Sequence, residues 1–555
     1  MDAISHGRTV SAPAGRAMAA APGSRATFRG APSRAAVAFR ILHAVTALGA
    51  GMQVAIDARY ENLIAVVLVV ASSTATFLYV RGTRALHEVP LSTMAVLGLC
   101  VTTQWGALVA QSLLWDSLTQ SLRVPLQTFS YLLGFQLVAI AAHFVSRRFR
   151  AFVAARRAGS DVVGRLGIFR VPSAPALWTL GVLGLLAILG RTAGEGNLLA
   201  KLADAFTFLA WAPFIIPVLA ARFGPGYALM RRHWPPLVAY TLAVALLAVA
   251  VNARAIMLAG IVTAMLVFLL QVLDDERPFE PRHLRYLAVS AVVLALVYEP
   301  LSYFLTGMQA ARAERGKISH VEMIKHTWAV LQDPAAVRRE RTRAEIAAQI
   351  GAYDEYYFKT PMIGRLVETK FHDNGFFMVD GVSAVESRVI AQDAVDRVWS
   401  ILPYPVLLAL GEGRAKFVTF YSAGDLLANI RVAAPLGSFV TGSMFAQGIA
   451  IFGVWTPFLY FLLCVPVFVV WDMLARTGSG GAPAVVSVVG MLLMYRLFQY
   501  GIVTESIGNI AGVLLRFQLQ NVLVFAGVFA LTRIVWKPFE PPAALADRRG
   551  PGARA

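Results

Sequence analysis

The chain has 555 residues, 57% of them hydrophobic and 15% charged, with a mean hydropathy of +0.62. Soluble domains carry roughly 25% charged residues, so a water-soluble fold is excluded, and the long unbroken apolar runs exclude an alternating β-barrel. The formal net charge of +18 would suit a nucleic-acid binder, but its distribution along the chain argues against that partner.

Residues 1–35 are rich in Ala, Ser, Gly, Pro and Arg. They lack the apolar core and cleavage site of a signal peptide and read as a disordered cytoplasmic tail. A nine-helix membrane region is expected over 36–306, with spans near 36–56, 62–80, 90–112, 125–146, 173–190, 203–221, 235–252, 255–273 and 285–306. Each approaches the ~20 residues a helix needs to cross the hydrocarbon core. A long polar segment over 307–450 follows. A three-helix region over 451–532 is expected next, with spans near 451–473, 483–503 and 513–532, and then a second tail at 533–555. The fold expected is therefore an all-α polytopic membrane protein of about twelve transmembrane helices with one long outer loop. The moderately apolar stretch 434–450, rich in Gly and Ser, is read as a re-entrant or surface helix closing that loop. Cys100 and Cys464 both lie in apolar spans and imply neither a disulfide framework nor a zinc site.

Basic residues concentrate in alternate connections. The first tail holds Arg8, Arg16, Arg25, Arg29 and Arg34, and the connection after the fourth span holds Arg147, Arg148, Arg150, Arg156, Arg157, Arg165 and Arg170. The last tail holds Arg533, Lys537, Arg548, Arg549 and Arg554. The positive-inside rule then puts both termini in the cytoplasm and the long segment outside. Between 306 and 431 there are sixteen basic and fifteen acidic residues, so the excess charge belongs to the inner loops. Anionic lipid head groups account for it, and nucleic acid is not an expected partner.

Arg254, Glu299, Arg496 and Arg516 sit in or at the edge of apolar spans. Ionisable groups are expensive there, and each marks a functional position unless it snorkels to the head groups. On the twelve-span topology all four lie towards the outer face. Guanidinium groups bind phosphate oxygens bidentately and stay charged at any working pH, so arginines at this depth suit a lipid diphosphate such as an undecaprenyl-diphosphate-linked sugar. Arg254, Arg312, Arg315, Arg496 and Arg516 are the candidate diphosphate- or glycan-binding residues, with Arg365 and Arg388 as secondary candidates. Glycosyl transfer also needs a group to take the acceptor proton. His372, Asp373 and Glu386 are the candidates, His372 and Asp373 lying in the run Lys370-Phe371-His372-Asp373-Asn374-Gly375. No cofactor and no metal is expected.

Asn252-Ala253-Arg254-Ala255, opening an apolar span, resembles a motif of the oligosaccharide repeat-unit (O-antigen, Wzy-type) polymerases and related ligases. The run Pro435-Leu436-Gly437 through Gly442, Gln447 and Phe452-Gly453 resembles the same family's small-residue segment, and the turn Leu402-Pro403-Tyr404-Pro405 fits it. The chain departs from the family at Gln447, where many members have Glu, and in the length of its outer loop. The resemblance implies a bacterial inner-membrane enzyme that transfers a growing glycan from its lipid diphosphate to a new lipid-linked repeat unit in the periplasm. A chain-length regulator is a further partner it implies. The competing expectation is a lipid-linked glycan flippase or another multi-helix transporter, which would carry charged or broken helices along a path through the whole membrane.

Overall fold

The computed structural model describes residues 34–156, 162–191, 202–223, 230–274, 281–315, 317–349, 356–358, 363–476 and 484–539. Among the described residues the architecture is helical, with one two-residue antiparallel ladder pairing Ala475 with Val486 and Arg476 with Val485. Among the described residues nine helices are long and apolar enough to cross a membrane. The chain is an all-α, polytopic membrane protein.

The nine helices include Arg34–Ile56, Tyr60–Gly82, Pro90–Leu113, Pro125–Phe149 and Arg254–Leu273, close to the bounds read from the apolar runs. Ala174–Gly190 is apolar but shorter. Pro281–Ala310 is one continuous 30-residue helix. The largest departure is at 483–503, expected to be a single span. It forms two short helices, Val488–Leu492 and Met494–Tyr500, broken at Leu493. A break in the helical backbone is tolerated at membrane depth only where protein buries it or a cavity needs it. Here both occur: Leu493 and Met494 are fully buried, and the next turn carries Arg496.

Stretch 434–450 is not one helix either. Its first part is an irregular loop, and Met444–Phe452 is a nine-residue helix capped by Ser443. Gly453, at φ 54°, turns this helix into Thr456–Asp472, a left-handed position that favours glycine.

The largest buried apolar cluster among the described residues joins many of these elements, with smaller clusters beside it. The long helix from Pro125 packs between Tyr60–Gly82 and Thr456–Asp472. Phe135 stacks on Phe445 at 4.1 Å, and Tyr460 meets both rings edge-on at 5.5 and 5.1 Å. This aromatic trio fixes the base of Met444–Phe452, and His372 lies against Phe445 at 5.2 Å between ring centroids.

Small residues set the closest helix contacts, as expected where lipid gives no hydrophobic drive between helices. At Gly98 a Cβ would overlap the Phe498 carbonyl oxygen, so helix Pro90–Cys100 lies directly on the short helix that carries Arg496. Gly98→Ala should therefore lower the thermal unfolding midpoint of the detergent-solubilised protein, overpacking costing about 1–3 kcal/mol. Gly51→Ala is the control. It has open space at its Cβ and should leave the midpoint unchanged or raised.

Candidate functional site

The described residues enclose a cavity of about 620 Å³ between the polar segment and the ends of the membrane helices. Four lengths of chain make its wall. They are the start of helix Thr369–Val379, the end of helix Ala384–Trp399 with residues 400–419, the loop 439–442, and the region 496–517.

Two buried carboxylates, Asp425 and Asp393, brace this wall from behind. Asp425 accepts from the backbone N–H groups of Gly437, Phe439 and Val440 at 3.2, 2.9 and 3.0 Å. This clamp holds the loop at the cavity, including Phe439 at the uncommon φ of 53°. Asp393 forms a buried two-point ion pair with Arg397, 2.8 Å from Nε and 3.2 Å from Nη2. Gln447 links that pair to the loop before helix Asn509–Gly512. Its Nε2 donates to Asp393 at 3.2 Å, and its Oε1 accepts from Ser506 Oγ at 2.6 Å and Ile507 N at 2.9 Å. The amide can donate and accept at once, which an ionised Glu at this position could not do.

Glu505 stands inside this fastened loop. On one side Met444 N donates to Thr504 O at 3.1 Å, and on the other Ser506 is held by Gln447. The Glu505 carboxylate lines the cavity. Its side chain is open to the cavity, and desolvation by the surrounding protein raises its pKa above the usual carboxylate value, with Arg397 pulling the other way and Asp425 adding to the rise. A carboxyl group held so that its proton affinity is increased is suited to exchange a proton with a ligand.

Basic side chains line the same cavity. The Arg496 guanidinium lies 4.4 Å from the Phe517 ring centroid and that of Arg516 lies 6.0 Å from it, so one ring serves both cations. Arg516 Nε also donates to Gln520 at 2.9 Å. It belongs to a five-residue π-helical turn, Val513–Phe517, a distortion frequent at functional sites. Arg397 and Lys416 line the same cavity, with Lys416 Nζ donating to the Ser400 carbonyl at 2.9 Å.

His372 is buried beside the cavity. Its Nδ1 lies 2.8 Å from Ser443 Oγ, and its Nε2 has no hydrogen-bond partner. Burial pushes its pKa down to about 3, so the ring is neutral. Ser443 Oγ also accepts from Ala446 N, and its second lone pair lets the Nδ1 contact fit either ring tautomer. The lowered proton affinity makes His372 a poor base, and its Nε2 is open to a ligand.

Of the ten candidate binding and proton-accepting residues, the fold brings His372, Arg496 and Arg516 to this cavity, while Glu299 pairs with Arg341 at 3.5 Å elsewhere. Arg254, Arg312 and Arg315 gather elsewhere. Asn252, at φ 45°, makes the tight turn before helix Arg254–Asp274 and donates to the Met308 carbonyl at 3.0 Å. Arg254 Nη1 donates to Gln309 at 2.9 Å, just before the turn Ala311–Glu314 that holds Arg312. Asp373 is fully buried, with its carboxylate taken by Arg123 N, Val124 N and Thr128 Oγ1 at 2.9–3.1 Å and by Lys370 at 3.4 Å. It anchors the start of helix Pro125–Arg156 and has no proton-transfer geometry towards the cavity. Glu386 closes a capping box with Ser383 at the start of helix Ala384–Trp399, and Arg388 is exposed on that helix. Arg365 ends the turn Ile363–Arg365; its side chain lies outside the described residues.

Sequence reasoning missed Glu505, Arg397, Lys416 and Glu368, whose carboxylate accepts from Gln499 at 2.8 Å. For Glu505 a signal existed: it is the one residue charged at neutral pH between Arg496 and Arg516. Among the described residues no group of three or more His, Cys, Asp or Glu gathers as a metal site. No family model, curated protein or solved structure matches this chain.

Proposed function

We propose that this protein is a polymerase of lipid-linked oligosaccharide repeat units, of the O-antigen or exopolysaccharide kind, in a bacterial inner membrane. The observation that carries the reading is the meeting of Arg496 and Arg516 across Phe517 with the Glu505 carboxylate in one cavity. In this reading the two guanidinium groups hold the diphosphate of an undecaprenyl-diphosphate-linked glycan at the periplasmic face. The acceptor hydroxyl oxygen bonds to the anomeric carbon, and the carbon–oxygen bond to the diphosphate breaks. The electron pair leaves with the diphosphate, where the arginines stabilise it, and the hydroxyl proton passes to Glu505. His372 Nε2 would exchange a hydrogen bond with the glycan. Arg254, Arg312 and Arg315 form a separate basic group suited to the rest of the glycan.

A flippase is the second reading, favoured by the broken helix at Leu493. Purified protein in liposomes with lipid-linked repeat units separates the two. A polymerase releases one lipid diphosphate per glycosidic bond formed. Movement of the lipid-linked unit between leaflets without bond formation would replace this reading with the flippase.

A further inference from the structure

The stretch between the two parts of the cavity wall contributed by Arg397 and Thr419 has a composition that water does not explain. Residues 401–411 read Ile-Leu-Pro-Tyr-Pro-Val-Leu-Leu-Ala-Leu-Gly, without a charge. The short helix Tyr404–Ala409 buries only Leu407. Tyr404, Val406, Leu408, Leu410, Phe417 and Phe420 are each between 42% and 67% exposed.

The 3₁₀ helix Gly413–Phe420 then sorts its side chains by threes, since residues three apart eclipse in that geometry. Ala415 and Val418 are buried. Lys416 and Thr419 line the cavity. Arg414, Phe417 and Phe420 are exposed. One stretch thus has a cavity side and an outward apolar side. It is tethered by Lys416 Nζ to Ser400 and Leu402 and by Arg397 Nη2 to the Tyr421 carbonyl at 3.4 Å.

Its depth follows from its neighbours. At Gly508 a Cβ would overlap the Ala394 carbonyl, so helix Ala384–Trp399 lies directly on the start of the membrane helix Asn509–Phe539. The second membrane helix at the cavity, Met444–Asp472, begins just after Gly442 in the wall. The cavity therefore sits at the ends of two membrane helices, and the apolar stretch lies at the level where hydrocarbon gives way to head groups. Tyr at such a boundary is at home, and an exposed apolar surface of this kind needs a cover.

We infer that residues 401–420 form an interfacial flap. Its outward face, carried by Leu408, Leu410, Phe417 and Phe420, is seated in the lipid bilayer, and its inward face forms the side of the cavity that opens towards lipid. The occupant is the bilayer, already required by the membrane helices that the flap adjoins. The inference needs the membrane class and the cavity, not the polymerase reading.

The test uses the full chain in lipid nanodiscs with single cysteines introduced as Leu408→Cys, Phe417→Cys and, as a water-exposed reference, Arg338→Cys, each labelled with an environment-sensitive fluorophore. The native Cys100 and Cys464 are fully buried, so labelling is selective. At 408 and 417 the emission should shift to the blue, doxyl-labelled lipid should quench it, and aqueous iodide should not; at 338 the pattern should reverse. Iodide quenching at 408 and 417 equal to that at 338 would overturn the inference. So would a blue shift without lipid quenching that disappears on dilution to monomers, since a second copy would then be the cover.

Discussion

Glu505→Gln should fold, insert and bind lipid-linked substrate while losing turnover by about 10²- to 10⁴-fold, the usual scale for removing a positioned proton acceptor. The amide keeps the shape of the side chain but cannot take the acceptor proton. The backbone on either side is held at Thr504 and Ser506, and Glu505 lines the cavity. In the proposed reaction Glu505 accepts a proton only when deprotonated, and its pKa is raised. Polymerisation should therefore fall as pH drops through that raised value, at a higher pH than an ordinary carboxylate would give. The glutamine variant should lose this acid limb from its residual rate. A pH–rate profile of both proteins in liposomes checks the claim. An unaltered acid limb in the variant would assign the proton to another group. The same raised pKa has a sign for stability: the charged form is disfavoured in the folded state, so Glu505 costs stability above its unfolded pKa, and Glu505→Gln should be at least as stable as the parent near neutral pH.

Arg496→Ala should be the second most damaging change, lowering turnover by about 10²- to 10³-fold if its guanidinium meets charge that develops on the departing diphosphate. Arg496→Lys should recover little. The stacked position 4.4 Å from the Phe517 centroid suits a planar delocalised cation, and an ammonium neither stacks as well nor binds two phosphate oxygens at once. Phe517→Leu extends the prediction. It removes the ring that Arg496 and Arg516 share, worth roughly 0.5–2 kcal/mol, and should weaken substrate binding more than turnover. Separate measurement of KM and kcat for the three variants distinguishes these outcomes. Equal loss in both parameters for Phe517→Leu would mean that the ring supports the fold of the π-helical turn and not the two cations.

The chain's membrane class was legible at the level of single runs. A stretch of about 20 apolar residues crosses hydrocarbon for local reasons, because backbone groups there must bond within their own helix. Expected spans such as 36–56, 62–80 and 255–273 accordingly lie within helices. The stretch 483–503 escaped this logic. Its hydropathy is that of a span, but it is buried in protein, where apolar composition is equally satisfied without a continuous helix.

The intramembrane arginines were legible for a related reason. A guanidinium in an apolar run is expensive wherever it sits, so Arg496 and Arg516 stood out before any contact was known. What local reasoning could not reach was the sorting of the polar segment. Arg388 and Arg397 share one helix, and nine residues at about 100° each put them on opposite faces. Only the packing of that helix on the loop at Gly508 decides which face meets the cavity. Asp373 and His372 are adjacent in the chain, yet one is spent on backbone amides some 250 residues away and the other lies against the cavity wall.

The sequence by itself determined that this is a helical membrane protein with costly arginines towards the end of the chain, because burial in lipid is governed by short runs and by the price of charge. The tertiary structure alone decided that Glu505 lines one cavity with those arginines and that Asp373 and Glu386 do not. Side-chain convergence depends on contacts between residues such as Glu368 and Gln499, 131 positions apart, and no local pattern carries that information.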